Sequence, residues 1–68
     1  MTEREALREA LRLYWDEGCD LELIDDYLFE ECGQSISSIK KIMQYLGEAI
    51  ARFGSDVGSD YIDRRIST

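Results

Sequence analysis

Among the side chains that could take part in catalysis or bind a metal ion, carboxylates are the most numerous in this chain. Its 68 residues include 15 aspartates and glutamates, against 8 lysines and arginines and no histidine. Three pairs of adjacent acids are candidates for general acid–base work or metal binding: Asp16/Glu17, Asp25/Asp26 and Glu30/Glu31. Adjacent residues on a helix point about 100° apart, so these pairs are not expected to form shared sites.

Signatures of other reactions are missing from the sequence. It has no G-x-S-x-G, no glycine-rich phosphate loop and no cysteine beside an activating base. The segment DEGCDLELID lacks the alternating oxygen ligands and the sixth-position glycine of a calcium loop. Without histidine or a C-x-x-C pair, a zinc site is not expected either. We therefore expect no catalysis, no metal or other cofactor, and no small-molecule substrate.

The two cysteines, Cys19 and Cys32, are predicted to be free thiols. If residues 20–32 form a helix, the cysteines lie roughly 20 Å apart at its two ends. A disulfide needs Cα atoms within about 7 Å, so they cannot pair within one chain. Free thiols are typical of a reducing compartment, and we expect a cytoplasmic protein. Neither a membrane-spanning run nor a signal-peptide pattern is present, so no membrane contact is expected.

The chain is organised around a helix that the sequence predicts over residues 35–54. At 100° per residue, its apolar side chains share one arc, whereas its polar side chains occupy the opposite side. The apolar arc consists of Ile36, Ile39, Ile42, Met43, Leu46, Ala49, Ile50 and Phe53. Such a stripe needs a cover, which the preceding residues must supply.

Two shorter helices are predicted before it. The first begins with a capping box formed by Thr2 and Glu5, and ends at Gly18. The second begins at Asp20, a favourable N-cap residue, and runs to Cys32. The predicted core combines aliphatic side chains of all three helices: Leu7, Leu11, Leu28, Ile39, Ile42, Leu46 and Ile50.

The predicted fold class is all-α, a small three-helix bundle. It forms a single domain over residues 1–54, followed by a polar tail over residues 55–68. The tail is expected either to be partly ordered or to form a short fourth helix that starts at Ser59 and Asp60. Since so short a chain buries only about 60% of its unfolded surface, we predict that a homodimer supplies further stability.

Negative charge is concentrated in the first half of the chain. Residues 1–33 hold eleven acids and three arginines, net −8, whereas residues 34–54 hold one acid and three bases, net +2. Non-specific binding to nucleic acid needs clustered lysine and arginine, whose contacts release counterions. The net charge of −7 therefore favours a protein partner over nucleic acid or an anionic membrane.

Two surfaces are candidates for the protein contact. Glu22, Asp26 and Glu30 recur at every fourth residue of the second helix and form an acidic face without a basic residue nearby in sequence. A solvated, solubilising face is the plain alternative. Leu11, Tyr14 and Trp15 belong to an apolar arc on the first helix that is wide enough to contact two neighbours or a partner.

Residues 20–47 resemble the helix-turn-helix unit of bacterial DNA-binding domains. Gly33 in the turn, Ser35 as the cap and Ile39 as the inward aliphatic residue match that pattern, whereas Phe29 and Gln34 depart from it. The resemblance implies a recognition helix over residues 35–52. The implied DNA contacts are Ser37, Ser38, Lys41 and Gln44 in the major groove, with Lys40 and Arg52 toward phosphates.

The sequence therefore leads to two predictions of function. The preferred one is a non-catalytic regulator or inhibitor that binds a basic protein, such as one that handles nucleic acid. By general analogy, small acidic helical proteins of this kind occur in phages and mobile elements. The alternative is a helix-turn-helix transcriptional regulator, for which the acids of the second helix would face the phosphate backbone.

Overall fold

The computed structural model describes residues 1–54 and 56–66, and these residues form four α-helices and no strand. The helices are α1 (Glu3–Trp15), α2 (Leu21–Glu30), α3 (Ile36–Phe53) and α4 (Ser59–Ile66). Ser55, Ser67 and Thr68, which belong to the predicted tail, lie outside the described residues. The all-α class and the three main helices are confirmed, and a fourth helix is present.

Polar side chains begin the first three helices as the sequence predicts. Thr2 forms a reciprocal capping box with Glu5, in which each side chain accepts a hydrogen bond from the other residue's backbone N–H. Asp20 accepts from the backbone N–H of Leu23 at the start of α2. These bonds satisfy N–H groups that have no partner within the helix, which stabilises the helix start by about 1 kcal/mol each.

The fourth helix takes its cap from a different element. Gly58 precedes α4 and has no side chain with which to cap it. Instead, the carboxylate of Asp16, just after α1, accepts from the backbone N–H of Ser59 at 3.2 Å and from its hydroxyl at 2.5 Å. Ile62 is fully buried in the core. The short-helix alternative for the tail is therefore correct, and α4 packs against α1.

The core joins all four helices. Its buried apolar residues are Ala6, Ala10, Leu11, Ile24, Leu28, Cys32, Ile39, Ile42, Leu46, Ala49 and Ile62. Of the predicted core residues, Leu7 and Ile50 are only partly buried and pack against this cluster. The expectation for Ile36 was wrong, because its side chain is 71% exposed on the first turn of α3.

Within the described residues, no helix combines the length and the apolar character that crossing a membrane requires.

Cys19 and Cys32 are both free thiols in the structure. Burial raises the pKa of the Cys32 thiol, because the charged thiolate is disfavoured away from water. Cys32 therefore behaves as a small apolar core residue at neutral pH.

Candidate functional site

The apolar residues predicted on α1 are used largely inside the protein. Leu11 is only 1% exposed and belongs to the core, as the core prediction states, so its side chain does not lie at the surface of the described fold. Tyr14 and Trp15 are half-buried and meet edge to face, with ring centroids 4.7 Å apart. The Trp15 indole N–H donates to the carbonyl of Gly54 at 2.8 Å. This contact ties the end of α1 to the end of α3.

Charges on the α1 and α4 side are paired with one another. The guanidinium of Arg12 contacts the carboxylates of Glu9 at 3.1 Å and Glu17 at 2.8 Å. Arg8 contacts the carboxylate of Asp63 on α4 at 3.0 Å. The hydrogen bond from Arg12 lowers the pKa of the Glu9 carboxyl, since it favours the charged form. Arg8 and Arg12 are therefore paired with acids of the fold itself.

The acidic face of α2, formed by Glu22, Asp26 and Glu30, is different. All three side chains are exposed. Among the residues that the structure describes, none of the three forms an ion pair with a basic side chain. Like charges at this spacing destabilise a helix by about 0.2–0.5 kcal/mol per pair. The face is therefore uncompensated within the fold.

A groove between α2 and α3 lies beside the acidic face. Its volume is roughly 520 Å³. The α2–α3 groove has apolar walls made by Phe29, Ile36, Ile39 and Met43, and a charged rim of Asp25, Asp26, Glu30 and Lys40. Phe29 is 57% exposed and Ile36 is 71% exposed, so two large apolar side chains at the groove face solvent.

The sequence prediction did not include this groove. The sequence identifies Phe29 only as a departure from the helix-turn-helix pattern and Ile36 only as a member of the apolar arc of α3, and neither is predicted to lie on a contact surface. The available signal was their position at the margins of two apolar arcs that only a short turn separates. At such margins, the crossing of the two helices decides whether a side chain is covered.

The residues implied by the helix-turn-helix resemblance are only partly brought together. Ser37, Lys41 and Gln44 are exposed and share the outward face of α3. Ser38 is half-buried, and its backbone N–H donates to the Ser35 cap. Lys40 instead lies on the rim of the α2–α3 groove.

Arg52 falls on the same face of α3 by periodicity, but it lies eleven residues after Lys41, near the far end of the helix. Its guanidinium carbon lies 5.1 Å from the ring centroid of Phe53. This spacing is typical of a cation–π contact. Of the two cations that the resemblance assigns to phosphates, one therefore lines the groove and the other sits over an aromatic ring.

The turn between α2 and α3 has the local geometry that the resemblance implies. Gly33 adopts a φ of +64°, a region that residues with a side chain rarely visit. Ser35 caps α3, and Ile39 is buried. Gln34, which departs from the pattern, is also buried, and its amide donates to the carbonyls of Met1 at 2.7 Å and Cys32 at 3.2 Å.

Among the described residues, no group of three or more cysteine, aspartate or glutamate side chains is arranged to hold a metal ion. No protein-family model, curated protein or solved structure matches the chain.

Proposed function

We propose that this protein is a non-catalytic regulator or inhibitor that binds a basic protein through the acidic face of α2. The observation that carries the proposal is the contrast in charge pairing. Arg8 and Arg12 contact carboxylates of α1, α4 and the residues that follow α1. The three acids of the acidic face have no such partner among the described residues.

An uncompensated face of this kind suits electrostatic recognition. Its carboxylates lie about one helical turn apart on a rigid element, roughly 5–6 Å between neighbours. Complementary charge speeds the encounter between partners and disfavours partners of the wrong sign. A basic protein, including one whose groove normally receives nucleic acid, has the matching potential.

The proposal is tested by capture from a cell lysate with the purified, tagged chain. Changing Glu22, Asp26 and Glu30 together to lysine should abolish capture of a specific protein. A matched control changes Glu3, Glu48 and Asp56 to lysine, because these acids are exposed and lie outside α2. Both variants change the net charge equally. Capture that survives in the α2 variant, or that both variants lose equally, would contradict the proposal.

DNA binding is the second candidate function. The positive φ of Gly33, the Ser35 cap and the buried Ile39 favour it, because they match the turn that the resemblance implies. Under this candidate, changing Lys40 and Lys41 to glutamate should abolish retention of genomic DNA fragments at low salt. Retention should also fall steeply as salt rises. The proposed protein-binding function predicts no retention by the parent chain.

We also propose that the chain forms a homodimer, because its core is small for an independent domain. Sedimentation equilibrium at micromolar concentration should then give about twice 7.9 kDa. A single species at the monomer mass across that concentration range would contradict self-association. A monomer would not contradict the separate proposal that the acidic face binds a protein partner.

A further inference from the structure

We infer that the α2–α3 groove receives an amphipathic, basic helix of the partner protein. The inference rests on the proposed function and names the element that the partner contributes. The groove combines apolar walls with a charged rim. Neither the acids nor the apolar side chains would indicate this occupant alone.

The apolar walls need a cover. Phe29 from α2 and Ile36 from α3 are more than half exposed, and Met43 is half-buried beside them. Exposed large apolar side chains that cluster in a concave site mark binding sites more often than chance exposure does. At roughly 520 Å³, the groove has the size of a typical ligand site. It suits a few apolar side chains from one face of a helix.

The next turn of α3 leaves room for a helix to approach. Gly47 lies four residues after Met43 and therefore on the same side of α3. No atom lies within 4 Å of the position that a Cβ would occupy at Gly47. A helix that places apolar side chains at i, i+3 or i+4 and i+7 can thus continue past Met43 without meeting a large side chain.

The rim selects the charge of this helix. Asp25, Asp26 and Glu30 stand on the α2 side, against Lys40 alone on the α3 side. Lysine and arginine flanking the apolar stripe of the occupant would therefore pair with the α2 side. A second copy of this chain fits less well, because each copy carries a net charge of −7 and would bring a second acidic rim to the first.

The test is an NMR titration of the full chain with labelled isoleucine and methionine methyl groups. The main probe is a peptide of about 14 residues, four helical turns, with leucine on one face and lysine on the other. A second peptide of the same charge replaces leucine with serine. The leucine–lysine peptide should shift the methyl signals of Ile36, Ile39 and Met43, whereas the signal of Ile62, buried against α1, should stay unchanged.

A pair of substitutions ties the binding to the groove. Ile36→Ser should weaken binding of the leucine–lysine peptide by about tenfold or more. Leu23→Ser is the matched control, because Leu23 is 59% exposed on α2 but does not line the groove. The control should bind the peptide as the parent chain does. Equal loss in both variants would overturn the inference.

The remaining outcomes separate this inference from the proposed function. If both peptides bind equally and Ile36→Ser has no effect, the groove inference fails and the acidic face survives as an electrostatic contact. If neither peptide binds, the electrostatic contact fails as well. If the groove signals shift with protein concentration before any peptide is added, a second copy occupies the groove and the inference is wrong.

Discussion

The two sides of this small bundle use the same residue types for opposite purposes. On the α1–α4 side, the carboxylates of Glu9 and Asp63 meet arginines, and the Trp15 indole donates to a backbone carbonyl. On the α2–α3 side, the acidic face is unpaired within the described residues, and Phe29 and Ile36 are exposed. Composition alone does not distinguish these sides, whereas the pairing of their groups does.

Residues of the α1–α4 side hold elements of the fold together, whereas the acids and apolar side chains of the α2–α3 side face solvent. Contacts on the α1–α4 side join elements that are far apart in sequence, such as Asp16 with Ser59. Contacts of that kind constrain the fold, and the polar groups that form them are already hydrogen-bonded within the protein. The α2–α3 side keeps both its charge and its apolar surface available, which is the combination found at the centre and rim of protein interfaces.

The largest expected effect is on the α1–α4 side, at Leu11. Leu11→Ala should lower the free energy of unfolding by about 2–5 kcal/mol, because it leaves a cavity in the core. A domain of this size has a total of only about 3–10 kcal/mol, so much of the variant should be unfolded. Urea denaturation followed by circular dichroism measures this. A loss below about 0.5 kcal/mol would contradict the burial of Leu11 in the core.

Trp15→Phe should have a smaller effect on the same side. It keeps an aromatic ring but removes the indole N–H that donates to Gly54. The expected loss of unfolding free energy is about 1 kcal/mol, the usual net value of one hydrogen bond. Capture of the protein partner should be unchanged at temperatures where the variant is folded. Lost capture by a fully folded variant would assign Trp15 to the contact.

Strong acid should weaken the contact that holds the start of α4. Hydrogen bonds from Ser59 hold the pKa of the Asp16 carboxyl below its usual value of 3.8. The charged form is therefore favoured in the folded state, so its stabilising contribution is present above pH 3.8 and is lost as pH falls through the lowered value. The Ser59 amide signal in NMR should follow this titration. In Asp16→Asn, the acid-dependent change at Ser59 should disappear.

Ile36→Ser should have the smallest effect on stability. Because Ile36 is 71% exposed, the free energy of unfolding should change by no more than about 0.5 kcal/mol. Ile39→Ala, at a buried position one turn later, should lower it by about 2–5 kcal/mol. Chemical denaturation of both variants under one condition gives the comparison. Similar losses in both would show that Ile36 is covered in solution.

Local sequence signals were sufficient for the helices and insufficient for the surfaces. Thr2, Asp20 and Ser35 cap their helices through bonds that span three residues, so the pattern of residues predicts them. Ile36 and Ile39 belong to one apolar arc by periodicity, yet only Ile39 is covered. Their difference depends on how α2 crosses α3, which no pattern within a single helix records.

The exposure of side chains on α1 also depends on a packing arrangement that local sequence patterns do not record, namely the position of α4. The sequence left open whether residues after Ser59 form a helix, because the capping group is the distant Asp16. The apolar arc of α1 is compatible with both a core position and a partner contact for Leu11, and the burial of Leu11 in the structure agrees with the core position. The acidic face was easier to predict, since charged residues at every fourth position of a helix share a face whatever the surrounding fold.

The unfolding free energies of two charge reversals, compared at low salt, test the central contrast most directly. Glu9→Lys and Asp26→Lys change the net charge equally, but Glu9 pairs with Arg12, whereas Asp26 lies between two like charges. The account predicts that Glu9→Lys destabilises the protein. It predicts that Asp26→Lys stabilises it by about 0.5–1 kcal/mol, because lysine attracts both neighbouring acids. Changes of the same sign in both variants would contradict the account.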